Sequence, residues 1–128
     1  MDDLAILRLA DGVARHAARR HKLISENIAN ADTPGFRARD LEPFEAAMER
    51  GVELRATREG HLSAGAQRRG FSERFDSAMG AASPNGNDVA LGDQMVRATK
   101  AMGAHDRAVT VYKKTLDILR ASLGGGGR

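Results

Sequence analysis

A chain of 128 residues has room for one hydrophobic core and little more. Apolar residues make up 41% of it, much of that alanine, and with no Trp, one Tyr and four Phe large core-forming side chains are scarce. The net charge of +3 is too small and too dispersed to demand a nucleic-acid partner, and the lack of cysteine excludes disulfides, thiolate metal sites and a cysteine nucleophile.

The first segment, residues 3–30, reads as a helix. Leu7, Ala10, Ala14, Ala17, His21, Ile24 and Ile28 recur at alternating steps of three and four, with Leu4, Ile6 and Val13 beside them. Asp2 and Asp3 place negative charge at the helix start, and Asp11 and Arg15 form a favourable i,i+4 pair. Gly12 costs about 1 kcal/mol relative to Ala without stopping so periodic a pattern. The alanines make the stripe narrow, so a partner helix can come close.

The run Asn27-Ile28-Ala29-Asn30-Ala31-Asp32-Thr33-Pro34-Gly35-Phe36 then ends the helix. Asn30 suits a left-handed C-terminal cap, and Thr33-Pro34-Gly35-Phe36 has Pro and Gly where a type II turn needs them.

Residues 31–87 are weakly patterned. Leu41 to Arg50 predicts a short helix with Pro43 in its first turn, and Val52 to Thr57 alternates like a strand. Ser63 to Gly70 is small and polar, and Ser83-Pro84-Asn85-Gly86-Asn87 is turn material. The few large apolar residues here offset ordering costs of roughly 1–2 kcal/mol per residue poorly, which predicts a poorly ordered middle in the free chain.

The segment 88–123 carries the strongest periodicity. Leu91, Met95, Ala98, Met102, His105, Val109, Tyr112, Leu116, Leu119 and Leu123 alternate four and three without a break. Asn87 or Asp88 is the expected N-cap, Asp93 and Arg97 form a second i,i+4 pair, and the helix would span about 50 Å. Val96, Thr99, Val111 and Ile118 widen the apolar face, implying more than one neighbouring helix. Residues 124–128 read as a flexible tail.

These patterns predict a mainly α single domain over residues 1–128: long terminal helices packed as an antiparallel hairpin or coiled coil, around a middle with at most a short helix and one or two strands. Such a hairpin buries one seam and leaves further apolar surface for other copies to cover, the signature of a subunit in a ring or open helix.

The stretch Leu23 to Asp40, with Asn-Ile-Ala-Asn at 27–30 followed by Ala-Asp-Thr-Pro-Gly-Phe at 31–36, closely resembles the signature of flagellar rod and hook proteins, and its continuation Arg37-Ala38-Arg39-Asp40 is similar to the FlgB branch. Asn85-Gly86-Asn87-Asp88-Val89 and Leu91, leading into a long helix with Lys113-Lys114, resemble the same family's C-terminal part, except that Ala90 and Gly92 stand where acidic residues are usual. The resemblance implies a structural subunit of the proximal rod in the basal body, within the periplasmic space. It implies export by the flagellar type III apparatus without a cleaved signal, which fits the acidic start Met1-Asp2-Asp3. The implied partners are other copies, other rod proteins and the adaptor and export gate at the rod base. Phe44 and Met48 resemble the element by which such subunits engage the export gate.

No cofactor or metal site is expected. His16, His21, His61 and His105 form no i,i+4 pair, and neither a nucleophile elbow nor a phosphate-binding glycine loop occurs, so catalytic residues are not expected. His21 and His105 both fall on predicted seams, where their proximity would make assembly pH-sensitive. No segment is apolar enough to insert in a membrane. The alternative reading is a basic helical module docking on nucleic acid or an anionic surface; interspersed Asp and Glu and few stacking aromatics argue against it.

Overall fold

The computed structural model describes residues 2–56, 71–76 and 84–124. Three helices and two short strands follow in the order α1 (Asp2–Ala29), β1 (Arg39–Leu41), α2 (Phe44–Ala56), β2 (Glu73–Phe75) and α3 (Leu91–Gly124). The two long terminal helices pack against each other along their length. They run antiparallel: Asn27 near the end of α1 meets Gln94 near the start of α3. The expected antiparallel hairpin of terminal helices is therefore the architecture of the chain.

The core is a seam of small residues. On α1 the buried apolar positions include Ala10, Ala17 and Ile24, seven apart; on α3 the buried positions are Gln94, Ala101, Ala108 and Thr115, again seven apart. A strict seven-residue repeat on both partners keeps one line of each helix facing the other, as in a coiled coil. Alanine at those places lets the backbones approach closely, since interaxial distance follows side-chain size. With 28 residues in α1 and 34 in α3, and their ends flush at the turn, α3 overhangs the start of α1 by about 9 Å.

The strands pair antiparallel, Arg39 opposite Phe75, Asp40 opposite Arg74 and Leu41 opposite Glu73. The ladder is extended by the Glu42 amide donating to the Ser72 carbonyl and the Asp76 amide donating to the Ala38 carbonyl, both at 2.9 Å. Arg37 lies 4.1 Å over the Phe75 ring and covers its face.

Helix α2 starts after Pro43, whose carbonyl accepts the Ala47 amide. Pro43 thus stands at the helix mouth, where a missing N–H costs nothing. Its ring neighbour Phe44 packs edge-on to His16, with centroids 5.7 Å apart, and Phe71 meets the same imidazole at 4.8 Å. Gly12 is what admits Phe44: a Cβ there would lie 3.3 Å from the ring.

Three local expectations are corrected. Residues 52–56 continue α2 and do not form the strand expected from the alternation of Val52 to Thr57; Gly51 does not break the helix, and three alternating apolar positions satisfy either period. Thr57 itself, the polar stretch 63–70, His61 and the tail beyond Gly124 lie outside the described residues. Asn87 and Asp88 do not cap α3, which begins at Leu91 with the Gln94 amide donating to the Ala90 carbonyl. Asn30 is not left-handed, since among the described residues only Gly35 and Gly86 have positive φ. Instead Asn30 closes α1 with its side chain, Nδ2 donating back to the Glu26 carbonyl at 2.8 Å.

Candidate functional site

The signature run at the end of α1 is built from two facing turns. In the first, Pro34 and Gly35 occupy the central positions, Gly35 has φ +73°, and the Phe36 amide donates to the Thr33 carbonyl, giving the expected type II turn. The second turn carries Gly86 at φ +80°, and the Gly35 amide donates to the Asn85 carbonyl at 3.0 Å. A Cβ on Gly86 would sit 3.4 Å from the Gly35 Cα, so backbone meets backbone here.

Asn27 is 1% exposed and fully engaged. Its Nδ2 donates to the Arg39 carbonyl at 2.7 Å and to Gln94 Oε1 at 2.9 Å, while its Oδ1 accepts the Arg39 amide at 3.0 Å. The side chain thereby acts as a rung of ladder for the edge of β1. Asn87, also buried, donates from Nδ2 to the carbonyls of Asn30 and Thr33 at 2.8 and 2.7 Å. Asp88 Oδ1 accepts the Ala38 amide at 2.6 Å. Residues expected to cap α3 therefore hold backbone groups of the segment that follows α1, carbonyls in the case of Asn87 and an amide in that of Asp88. Of the rest of the signature, Ile28, Ala31 and Phe36 are half-buried and Ala29, Asp32, Thr33, Pro34 and Gly35 are exposed.

Beside this clasp sits a cluster of charges of which the sequence joined only the i,i+4 pair Asp93 and Arg97. Arg20 on α1 donates to both Asp40 oxygens at 2.8 and 2.9 Å. Arg97 on α3 reaches Asp40 at 3.0 Å, Asp93 at 2.6 Å, and Asp76. The hydrogen bond with Asp40 raises the Arg20 pKa further. Burial pushes the Asp40 carboxyl up, but the hydrogen bond and charge of Arg20, the Leu41 amide and Arg97 outweigh it and hold the carboxyl below its usual range. Glu42 is also lowered, first by the Ser72 amide and then by Arg50, whose guanidinium holds it at 2.6 and 2.9 Å. These pairs fasten the strands onto both long helices. His16 adds to them, its Nε2 donating to the Glu42 carbonyl at 2.6 Å.

The predicted α1 stripe faces α3, with Ala10, Ala17 and Ile24 buried and Leu7, Ala14 and Ile28 half-buried. The predicted α3 stripe is turned away from α1. Ala98, Val109, Leu116 and Leu119 are half-buried at its edge, whereas Leu91, Met95, Met102, Tyr112 and Leu123 are exposed, Met95 at 58% and Met102 at 56%. Met95, Met102, Val109, Leu116 and Leu123 lie one residue, about 100°, beyond the buried line or close to it. So α3 carries two parallel apolar lines: a small one that meets α1, and a large one that faces outward. The seven-residue spacing of Ala101 and Ala108 was the available signal for the first; following the large side chains obscured it. On α2, Phe44 is half-buried and Met48 exposed. Counting from Asn27 opposite Gln94, His21 and His105 stand about five residues, roughly 7 Å, apart along the hairpin.

A family model described as "Flagella basal body rod protein" matches residues 14–37, the stretch that contains the clasped signature. A flagellar basal body rod protein FlgB of Agrobacterium fabrum is 28% identical over 119 residues, covering 88% of each chain. At 88% of the chain, that alignment takes in the signature and at least part of both long helices. The chain is thus similar to flagellar basal body rod proteins, at its signature and over most of its length. Shorter matches agree: the FlgB proteins of Aeromonas hydrophila and Yersinia enterocolitica are 45% identical over 51 residues (36% of this chain, 38% of the relative) and 50% identical over 36 residues (28% and 26%). The names of these relatives place those proteins in the rod of the flagellar basal body. Among the described residues no helix is long and apolar enough to cross a membrane, and no group of three or more His, Asp or Glu side chains could hold a metal ion.

Proposed function

We propose that this protein is a structural subunit of the flagellar basal body, in the proximal rod, exported by the flagellar type III apparatus without a cleaved signal, and that it polymerises through its terminal helices with its own copies and other rod proteins above the adaptor and export gate. The observation that supports this reading is the outward line of α3. Met95, Met102 and Leu123 are seven or a multiple of seven residues apart and are 58%, 56% and 83% exposed. Large side chains held at coiled-coil spacing on a free face favour burial against another helix, since each stabilises by about 1.5–3 kcal/mol when fully buried. The signature clasp and the charge cluster fix the angle at which that face is presented.

Carboxylates placed in this line test the reading. In Met95→Glu/Met102→Glu the seam toward α1 is untouched, so the free chain keeps its helix content while rods fail to form. Normal rod assembly by the double variant would remove the proposal. For the export element, Met48 is the cleaner probe because it is exposed in the folded chain. Met48→Ser is expected to lower export and leave thermal stability unchanged; unaltered export would discard the Phe44–Met48 part of the reading.

A further inference from the structure

Every polar side chain of the signature that is buried is satisfied from within the chain, and much of what satisfies this region arrives late in the sequence. The Asn27 amide meets Gln94, 67 residues on. The carbonyls of Asn30 and Thr33 meet Asn87, the Gly35 amide meets Asn85, and the Ala38 amide meets Asp88. Asp40, in β1, is held by Arg97 as well as Arg20. The seam that buries Ala10, Ala17 and Ile24 is likewise made by α3. Without residues 85–97, the Gly35 and Ala38 amides are left to water, the carbonyls of Asn30 and Thr33 keep only their local amide donors, and the seam loses the first turns of α3.

We propose that residues 85–97 are a latch: the signature turn and β1 take their native arrangement only when this later segment seats on them. A chain made from its N-terminus onward therefore keeps residues 2–40 open until its last third exists. The signature is in this sense a receiver for the chain's own far end. The latch stands on the hydrogen bonds alone and does not depend on the assembly reading.

The test is amide exchange on the full-length free protein. In pulse-labelled refolding, the amides of Gly35, Ala38 and Arg39 become protected in the same phase as those of Ala98 and Ala101 in α3. Protection of residues 35–39 in an earlier phase, or no protection at either place, overturns the latch. At equilibrium, Asn87→Ala speeds exchange at Gly35 and Ala38 by about tenfold or more while Ala108 keeps its wild-type rate. Loosening confined to Val89, whose amide donates to Asn87 Oδ1, also overturns it. Should Asn87→Ala fail to fold, the wild-type refolding experiment decides alone.

Discussion

At the scale of single residues, the same substitution has opposite consequences at two glycines. Gly86 has φ +80° and lies against the Gly35 backbone, so Gly86→Ala places a Cβ in the left-handed region and in a tight approach. It is expected to destabilise by about 1–2 kcal/mol. Gly103 lies in the interior of α3, where an added Cβ meets only the end of the Arg107 side chain. Because Arg107 is exposed and can swing aside, Gly103→Ala is expected to stabilise by about 0.5–1 kcal/mol. Urea denaturation of the two variants checks both signs. Asn27 is the other decisive residue: Asn27→Leu leaves the Arg39 amide and carbonyl and the Gln94 amide group without their partner. A loss of about 1–3 kcal/mol is expected in the same assay.

At the scale of elements, the two lines on α3 separate stability from the proposed assembly contact. Ala101 and Ala108 are buried in the seam between the helices, so Ala108→Leu overpacks it and is expected to cost about 1–3 kcal/mol in thermal unfolding. Met102→Ala removes a side chain already facing solvent and is expected to leave the free chain's unfolding midpoint unchanged. The helices were legible in sequence because each runs for many turns with one unbroken period. The type II turn was legible because Pro34 and Gly35 each have one strong backbone preference. What was hidden depended on contacts between distant parts of the chain. Nothing local says that Asn87 holds Thr33 when it could equally cap the helix that follows it. The strands are three residues long and mostly charged, too short to show alternation; they exist because Arg20, Arg97 and Asn27 hold β1 in place. The α3 seam was hidden because polar Gln94 and Thr115 flank its alanines, so a search for large apolar residues settled on the adjacent line.

At the scale of the whole molecule, the lowered carboxyls set a dependence on acid. Asp40 and Glu42 are more acidic in the folded chain than when exposed to water. Their contribution is therefore fully present above the ordinary carboxylate range and is lost as the pH falls through and below about 4. Unfolding free energy is expected to decline across that window. Asp40→Asn, which removes one such group, is expected to lower stability near neutrality and to flatten the decline on a pH series of denaturation curves. Equal slopes for wild type and variant would mean that Asp40 is not a source of the acid response.

The unequal lengths of α1 and α3 give the molecule a geometry of its own. One extremity is sealed by the facing glycine turns; at the other, α3 runs about 9 Å past the start of α1 with no other described element beside it and carries Leu123 almost bare. A body shaped like this, blunt above and pegged below, cannot be inverted without changing what it offers to whatever stands next in line. Rows in which every unit points the same way join peg to blunt end at each junction. Rows of alternating units would set peg against peg, so shape alone confers a direction on any column these units make.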